Sequence, residues 1–223
     1  MVMDRLLELG ILPLGAVLFP GMQRPVRLAA KHDRLLVGHC LEQDEPLGAV
    51  LAPGSGEIDC AGLPQRTGTL ARVIGAAPRP DGPLVATLLG LGRCRVLEVS
   101  QLRPFTKGKL ELVKDDPGDP DGCRRLAAKV VTALVEYLAA LLALANRPAS
   151  EITLPTDSLS LSYAVAASLP VSELERQCLL EASSVARRLH RTLAILERER
   201  SLLSKQITCR QWSRLALEQR SPN

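Results

Sequence analysis

The 223-residue chain predicts an α+β protein: a β-rich amino-terminal half containing one helix, followed by a carboxy-terminal bundle of about four helices. Two changes of texture lead to this. From Met1 to about Lys114, short apolar runs are cut repeatedly by Gly, Pro and Asp, the spacing of short strands joined by turns. Farther on, apolar residues recur at three- and four-residue steps, the period of helices with one buried face. Between the two lies DDPGDPDG, Asp115–Gly122, whose two prolines, two glycines and four aspartates neither continue a strand nor supply apolar surface. The expected organisation is a β domain over 1–116, a linker over 117–122 and a helical bundle over 123–223.

Each element has its own signal. Ile11–Met22, ILPLGAVLFPGM, is an apolar run broken by Pro13, Gly15, Pro20 and Gly21, residues that neither a helix interior nor a central strand accepts readily. Gly21, directly after Pro20, is expected in a positive-φ or tightly packed turn. A secretory signal would need positive charge where Asp4 and Glu8 stand, so this segment is expected to belong to the folded protein. KHDRLLVGHCLEQD, Lys31–Asp44, predicts a helix with Leu35, Leu36, His39 and Cys40 on one side, stopping before Pro46. Strands are expected at Leu47–Ala52, Gly68–Ala77, Leu84–Gly92, Arg93–Ser100 and Lys107–Lys114. In the last of these, Leu110 and Leu112 alternate with Lys109 and Glu111. Asp81-Gly82 within RPDGP signals a hairpin, because glycine accepts the positive φ such turns need.

Past the acidic segment, Leu126, Val130, Leu134, Tyr137, Leu141 and Leu144 mark one face of a helix ending before Pro148. A second helix fits Thr156–Ser168. A third opens at Ser172 with Glu175 three residues on, a capping box, and a fourth runs from about Ser184 to Trp212 or beyond. The apolar run Val130–Ala145 is shorter than the ~20 residues that cross a bilayer and carries Glu136 in its middle, so it reads as a bundle helix and no membrane partner is expected.

Composition narrows the function. A formal charge of +4 with 23% charged residues is too mild to imply nucleic acid or anionic lipid. One Trp, two Tyr and two Phe leave few rings on which bases could stack. Cysteines 40, 60, 94, 123, 178 and 209 form no C-x-x-C pair and read as small buried hydrophobes, which fits a reducing cytoplasm. His32 and His39 lie two helical turns apart without a third ligand nearby, so no metal is expected. There is no G-x-x-x-x-G-K-[ST] phosphate loop, no H-E-x-x-H and no G-x-S-x-G. Ser204 and Lys205 are sequence neighbours that point different ways on a helix, a poor nucleophile and base. No catalytic, cofactor-binding or metal-binding residue is assigned, and an enzyme is not expected.

Several motifs in order then carry a resemblance. PLGAVLFPG (Pro13–Gly21), GTLA (Gly68–Ala71), PDG (Pro80–Gly82) and GRCRV (Gly92–Val96) resemble the amino-terminal domain of Lon protease, a module also found as a stand-alone protein. The likeness runs from about Ile11 to Val113. SLPVSELERQCLLEA, Ser168–Ala182, extends it into the helical half. The resemblance implies a β-rich pseudo-barrel of PUA-like fold, with Val17, Leu18 and Phe19 facing its core and a helical bundle behind. The chain departs from the family at Leu28–Arg34, LAAKHDR, where relatives carry aromatic residues.

What the resemblance implies about function is a non-catalytic module that recognises unfolded or exposed polypeptide segments, adaptor or chaperone-like, with no cofactor. Binding residues are not assigned. Candidate surfaces are the cleft between the two halves and the last helix, which carries Arg187, Arg188, Arg191, Arg198, Arg200, Lys205, Arg210 and Arg214 against Glu197, Glu199 and Glu218. The alternative, by analogy with PUA domains, is an RNA-binding protein using that helix with Arg93, Arg95, Arg103, Lys107 and Lys109.

Overall fold

A computed structural model describes residues 6–52, 67–79, 82–100, 104–145, 147–148 and 153–218, with the side chains of 78–79, 82–83 and 206–218 outside that description. The elements are β1 (Leu6–Leu14), β2 (Gln23–Leu28), α1 (Lys31–Gln43), β3 (Leu47–Leu51), β4 (Thr67–Arg79), β5 (Gly82–Ser100), β6 (Lys107–Leu112), α2 (Pro120–Leu144), α3 (Ser158–Ser168), α4 (Glu173–Leu180) and α5 (Val185–Glu218). By contacts the chain forms two compact units, Met1–Asp116 with Ala166–Ser183, and Pro117–Val165 with Ser184–Asn223.

The first unit is built on one six-stranded sheet in the order β2-β5-β4-β3-β1-β6, and β5 also pairs with β6. That extra pairing closes five strands into a ring, the expected pseudo-barrel, and leaves β2 attached to the first half of β5. Closure removes open edges, whose unpaired backbone groups would otherwise recruit other chains. The remaining edge strand is blunted by Pro25. Gly90 N–H bonds the carbonyl of Met22, and β2 alternates from there in register with β5, so the nitrogen of Pro25 falls on the open side and offers no donor.

β5 differs from expectation. Where the sequence predicts two strands, Leu84–Gly92 and Arg93–Ser100, one 19-residue strand forms. β4 runs antiparallel to it from Thr67 opposite Arg95 to Arg79 opposite Gly82, and irregularities such as that between Leu70 and Ala71 absorb the mismatch. The Pro80 and Asp81 part of the expected hairpin turn lies outside the described residues.

α1 packs one face on the sheet, but the buried stripe is Leu36, Val37 and Cys40 rather than Leu35 and His39. The expected stripe is rotated because the core, Leu12, Leu14, Leu18, Leu28, Leu47, Ala86 and Leu88 among others, meets the helix on the Val37 side. In β6, Leu110 is buried and Leu112 is exposed, since the strand ends there.

The helical elements start where their caps sit. α2 begins at Pro120 within the expected linker, leaving only Pro117–Asp119 before it. Proline suits the first helical position, and the Asp119 carboxylate accepts from the N–H groups of Asp121 (3.1 Å) and Gly122 (2.9 Å). Thus lengthened to 25 residues, α2 is long and apolar enough to cross a membrane by length and composition, and only 28% of its most apolar window is buried. It packs along α5, with Glu136 paired to Arg200. α4 opens with both halves of the capping box between Ser172 and Glu175.

Candidate functional site

The Ile11–Met22 stretch is held from every side within its unit. Val17, Leu18 and Phe19 are buried. Thr69 Oγ1 donates to the Leu18 carbonyl (2.6 Å), Arg24 donates to the Val17 carbonyl (3.0 Å), and Val17 N–H donates to the Glu173 carboxylate (2.7 Å). Gly21 has φ +77°, its N–H bonds Gly90 O (2.9 Å), and Met22 N–H bonds Phe19 O (3.1 Å). The prolines and glycines therefore shape a locked corner whose polar backbone is already engaged.

The cationic residues near the end of the β half are similarly occupied. Arg93, in the GRCRV motif, is buried. It donates to the carbonyls of Leu180 (3.2 Å), Lys114 (3.3 Å) and Ser183 (3.5 Å) and pairs with Asp115 (3.1 Å). Lys109 pairs with Glu98 (2.6 Å), Arg95 lies 4.0 Å from Glu111, and Lys107 sits over the Phe105 ring. Arg103 lies outside the described residues. Among the described residues, Arg93 therefore fastens the fold while Arg95 and Lys109 have carboxylate partners, which weakens the sequence support for the RNA-binding alternative.

In the last helix Arg188 is fully buried, 3.9 Å from the Tyr163 ring centre and 3.0 Å from Ser162 Oγ. Arg198 pairs with Glu199 (2.9 Å). Arg187, Arg191 and Lys205 are exposed, and the side chains of Arg210, Arg214 and Glu218 are outside the description. The Ser204 hydroxyl donates to the Arg200 carbonyl (3.0 Å), one turn back, instead of engaging Lys205. Among the described residues no three metal-ligating side chains cluster. His39 meets Glu45 (3.2 Å) and leans on Phe105; His32 meets Asp33 (3.2 Å). Cys40, Cys94 and Cys123 are buried thiols, but Cys178 is exposed, because it falls on the outer side of α4. Cys60 and the Cys209 side chain lie outside the described residues.

One candidate surface was not visible in the sequence. It is the outer face of β2, the first half of β5, and β4. Register places Gln23, Leu89 and Arg72 on one rung, Pro25, Thr87 and Gly75 on the next, and Arg27, Val85 and Ala77 on a third. The opposite face of β5, Ala86 and Leu88, is buried in the core. Ile74 at the β4 irregularity is 46% exposed and Leu91 is 45% exposed. LVATLLGLG is uncharged on both faces, so no polar alternation revealed which residues point outward. Elsewhere on the barrel, the outer rungs of β1, β6 and β5 carry the Glu98–Lys109 and Arg95–Glu111 pairs.

Comparison with known proteins agrees with this architecture. The family model described as the ATP-dependent protease La (LON) substrate-binding domain matches residues 8–198. The chain is 27% identical over 205 residues to Lon protease 2 of Myxococcus xanthus, covering 87% of this chain and 24% of that protease. It is 28% identical over 201 residues to Lon protease of Anaeromyxobacter dehalogenans, again covering 87% of this chain and 24% of the relative. It thus spans about a quarter of the length of the curated relatives it matches. A crystal structure of a Lon N-terminal domain protein from Xanthomonas campestris aligns with TM-score 0.61 at 26% identity, covering 84% of this chain and 98% of that one. The N-terminal domain of Mycobacterium avium complex Lon protease aligns with TM-score 0.69 at 16% identity, covering 85% of this chain and 98% of that one, a likeness of fold. With the model spanning both the barrel and most of the helical elements, the chain belongs to the LON substrate-binding domain family.

Proposed function

We propose that this chain is a non-catalytic module that binds unfolded or exposed polypeptide segments and acts as an adaptor or chaperone-like recognition element. The observation that carries the reading is the match of residues 8–198 to a substrate-binding domain model, and the substrates of a protease are polypeptides. The outer face of β2, β5 and β4 offers the kind of surface required: partly exposed uncharged side chains, Val85, Thr87 and Leu89, at its centre, with Ile74 and Leu91 nearly half exposed beside them, on a paired sheet. With no Phe, Tyr or Trp among residues 23–28, 67–79 and 82–93 to anchor a partner, affinity is expected on the order of micromolar, about −8 kcal/mol. Placement in a reducing cytoplasm is part of the proposal and accords with the buried free thiols of Cys40, Cys94 and Cys123.

The test is a titration of labelled unfolded peptides against the chain, beside natively folded proteins and a single-stranded RNA, at two salt concentrations. Binding of unfolded peptides that survives moderate salt, with weak RNA binding, is the expected outcome. Tight RNA binding that collapses with salt would replace the reading. The same preparation is expected to hydrolyse neither ATP nor casein with magnesium present. Turnover that co-purifies through several columns would contradict the non-catalytic assignment.

A further inference from the structure

We infer that the outer face of β2, β5 and β4 selects extended polypeptide segments that are both apolar and acidic. The inference rests on the polypeptide-binding reading and adds a charge preference to it.

Two outer faces of the same barrel differ in charge bookkeeping. On β1, β6 and the second half of β5, Arg95, Lys107 and Lys109 stand among Glu8, Glu98 and Glu111, so that face carries cations and anions in equal number. On the other, residues 23–28, 67–79 and 82–93 contain Arg24, Arg27, Arg72, Arg79 and Arg93 and not one Asp or Glu. Arg93 is buried and spoken for, and Arg24 bonds the Val17 carbonyl. Arg27 and Arg72 remain exposed at opposite margins of the face, on β2 and β4, with Val85, Thr87 and Leu89 of β5 between them. Arg72 lies 3.6 Å from Asp44, the αL residue closing α1, so this carboxylate offsets part of its charge and Arg27 is the less screened of the two.

An uncharged strip between two cations is complementary to a chain whose apolar side chains sit on the strip and whose carboxylates reach the margins. Arginine suits the task because its planar guanidinium takes carboxylates in a paired geometry. Single-stranded nucleic acid would also be attracted by charge, yet none of residues 23–28, 67–79 and 82–93 is a Phe, Tyr or Trp on which a base could stack. A basic segment would meet like charge at both margins.

The experiment uses the whole chain and three fluorescent, unstructured peptides with the same Val, Leu and Ile content, flanked by Asp, Ser or Lys. At low salt the Asp-flanked peptide is expected to bind about tenfold tighter than the Lys-flanked one, with the gap narrowing as ionic strength rises. Arg27→Glu with Arg72→Glu is expected to close or reverse the gap at unchanged thermal stability, and Arg27→Gln with Arg72→Gln to close it without reversal. Asp44→Asn should widen it, and Ile74→Ser should weaken all three peptides alike. If the three peptides bind equally, or the arginine variants keep the preference, the charge inference is overturned while the polypeptide-binding reading stands. If no peptide binds, both fall; binding of an unstructured RNA oligonucleotide in their place would identify the other class of partner.

Discussion

Gly21 and Gly90 meet at one corner of the barrel and are constrained for different reasons. Gly21 adopts φ +77° with open space where a side chain would go, so its constraint is purely one of backbone conformation. Gly90 has ordinary space requirements reversed: a Cβ there would fall on the carbonyl of Phe19. Gly21→Val is therefore expected to cost about 1–3 kcal/mol, with Gly21→Asn much milder because asparagine tolerates the left-handed region. Gly90→Ala should cost roughly 3 kcal/mol despite adding one methyl group. Urea unfolding of the three variants measures this; an unchanged midpoint for Gly90→Ala would contradict the packing. The thiols make a second residue-scale prediction. Burial pushes Cys94 up to about 12 and Cys40 up to about 11, the latter aided by the Glu45 carboxylate. A thiol whose folded pKa exceeds its unfolded value, 9.0, keeps its proton in the native state while the unfolded chain loses it. Stability contributed this way is complete below pH 9 and is lost as pH rises toward 11 and 12. Urea midpoints should fall across that window, and Cys40→Ala with Cys94→Ala should flatten the slope. Cys178 should be alkylated before Cys40, Cys94 or Cys123, as read by peptide mass mapping.

At the scale of elements, α4 shows how a short helix is made and then used. Eight residues are too few to hold a helix in water, so the reciprocal Ser172–Glu175 bonds and the burial of Leu179 and Leu180 must sustain it. Its polar groups reach into the barrel: Glu173 takes the Val17 N–H, and Gln177 donates to the Thr67 carbonyl (2.8 Å). Ser172→Ala is expected to cost ~1 kcal/mol through the lost cap. Glu173→Ala should cost more, about 1–3 kcal/mol, because it strands the backbone donor of buried Val17. If the two variants melt alike, Glu173 contributes no more than a cap residue does.

For the whole molecule, the partition of the chain carries the consequence. Ala166–Ser183 belongs with the sheet although it follows α2 in sequence, so the β half is completed by residues from the helical half. A fragment of residues 1–116 would lose the Leu180 and Ser183 carbonyls that hold Arg93, the Glu173 partner of Val17 and the Gln177 partner of Thr67. Arg93 would keep Asp115 and the Lys114 carbonyl, but each buried polar group left without its partner costs about 1–3 kcal/mol, and several together are a large share of the 5–15 kcal/mol by which domains are stable. The fragment is expected to lack a cooperative thermal transition, and a synthetic peptide of residues 166–183 to restore one. Cooperative unfolding of 1–116 by itself, at the temperature of the intact chain, would show that the helical segment is dispensable.

The sequence by itself determined the α+β class, the strands expected at Leu47–Ala52 and Lys107–Lys114, which form over Leu47–Leu51 and Lys107–Leu112, the capping box at Ser172 and the turn at Gly21, because each depends on neighbours within a few residues. Local chemistry also sufficed to recognise the family, since Pro13–Gly21 and Gly92–Val96 preserve their spacing. It went astray where distant contacts govern. β4 paired along the whole of β5 and fused two expected strands into one. The core rotated the buried stripe of α1 toward Val37, and the proline read as a linker residue became the first residue of α2. Only the tertiary structure decided which arginines are exposed: Arg93 and Arg188 read as surface charges, yet both are buried, while Arg27 and Arg72 drew no notice. The reason is that charge is a property of a residue, whereas exposure is a property of everything that packs around it.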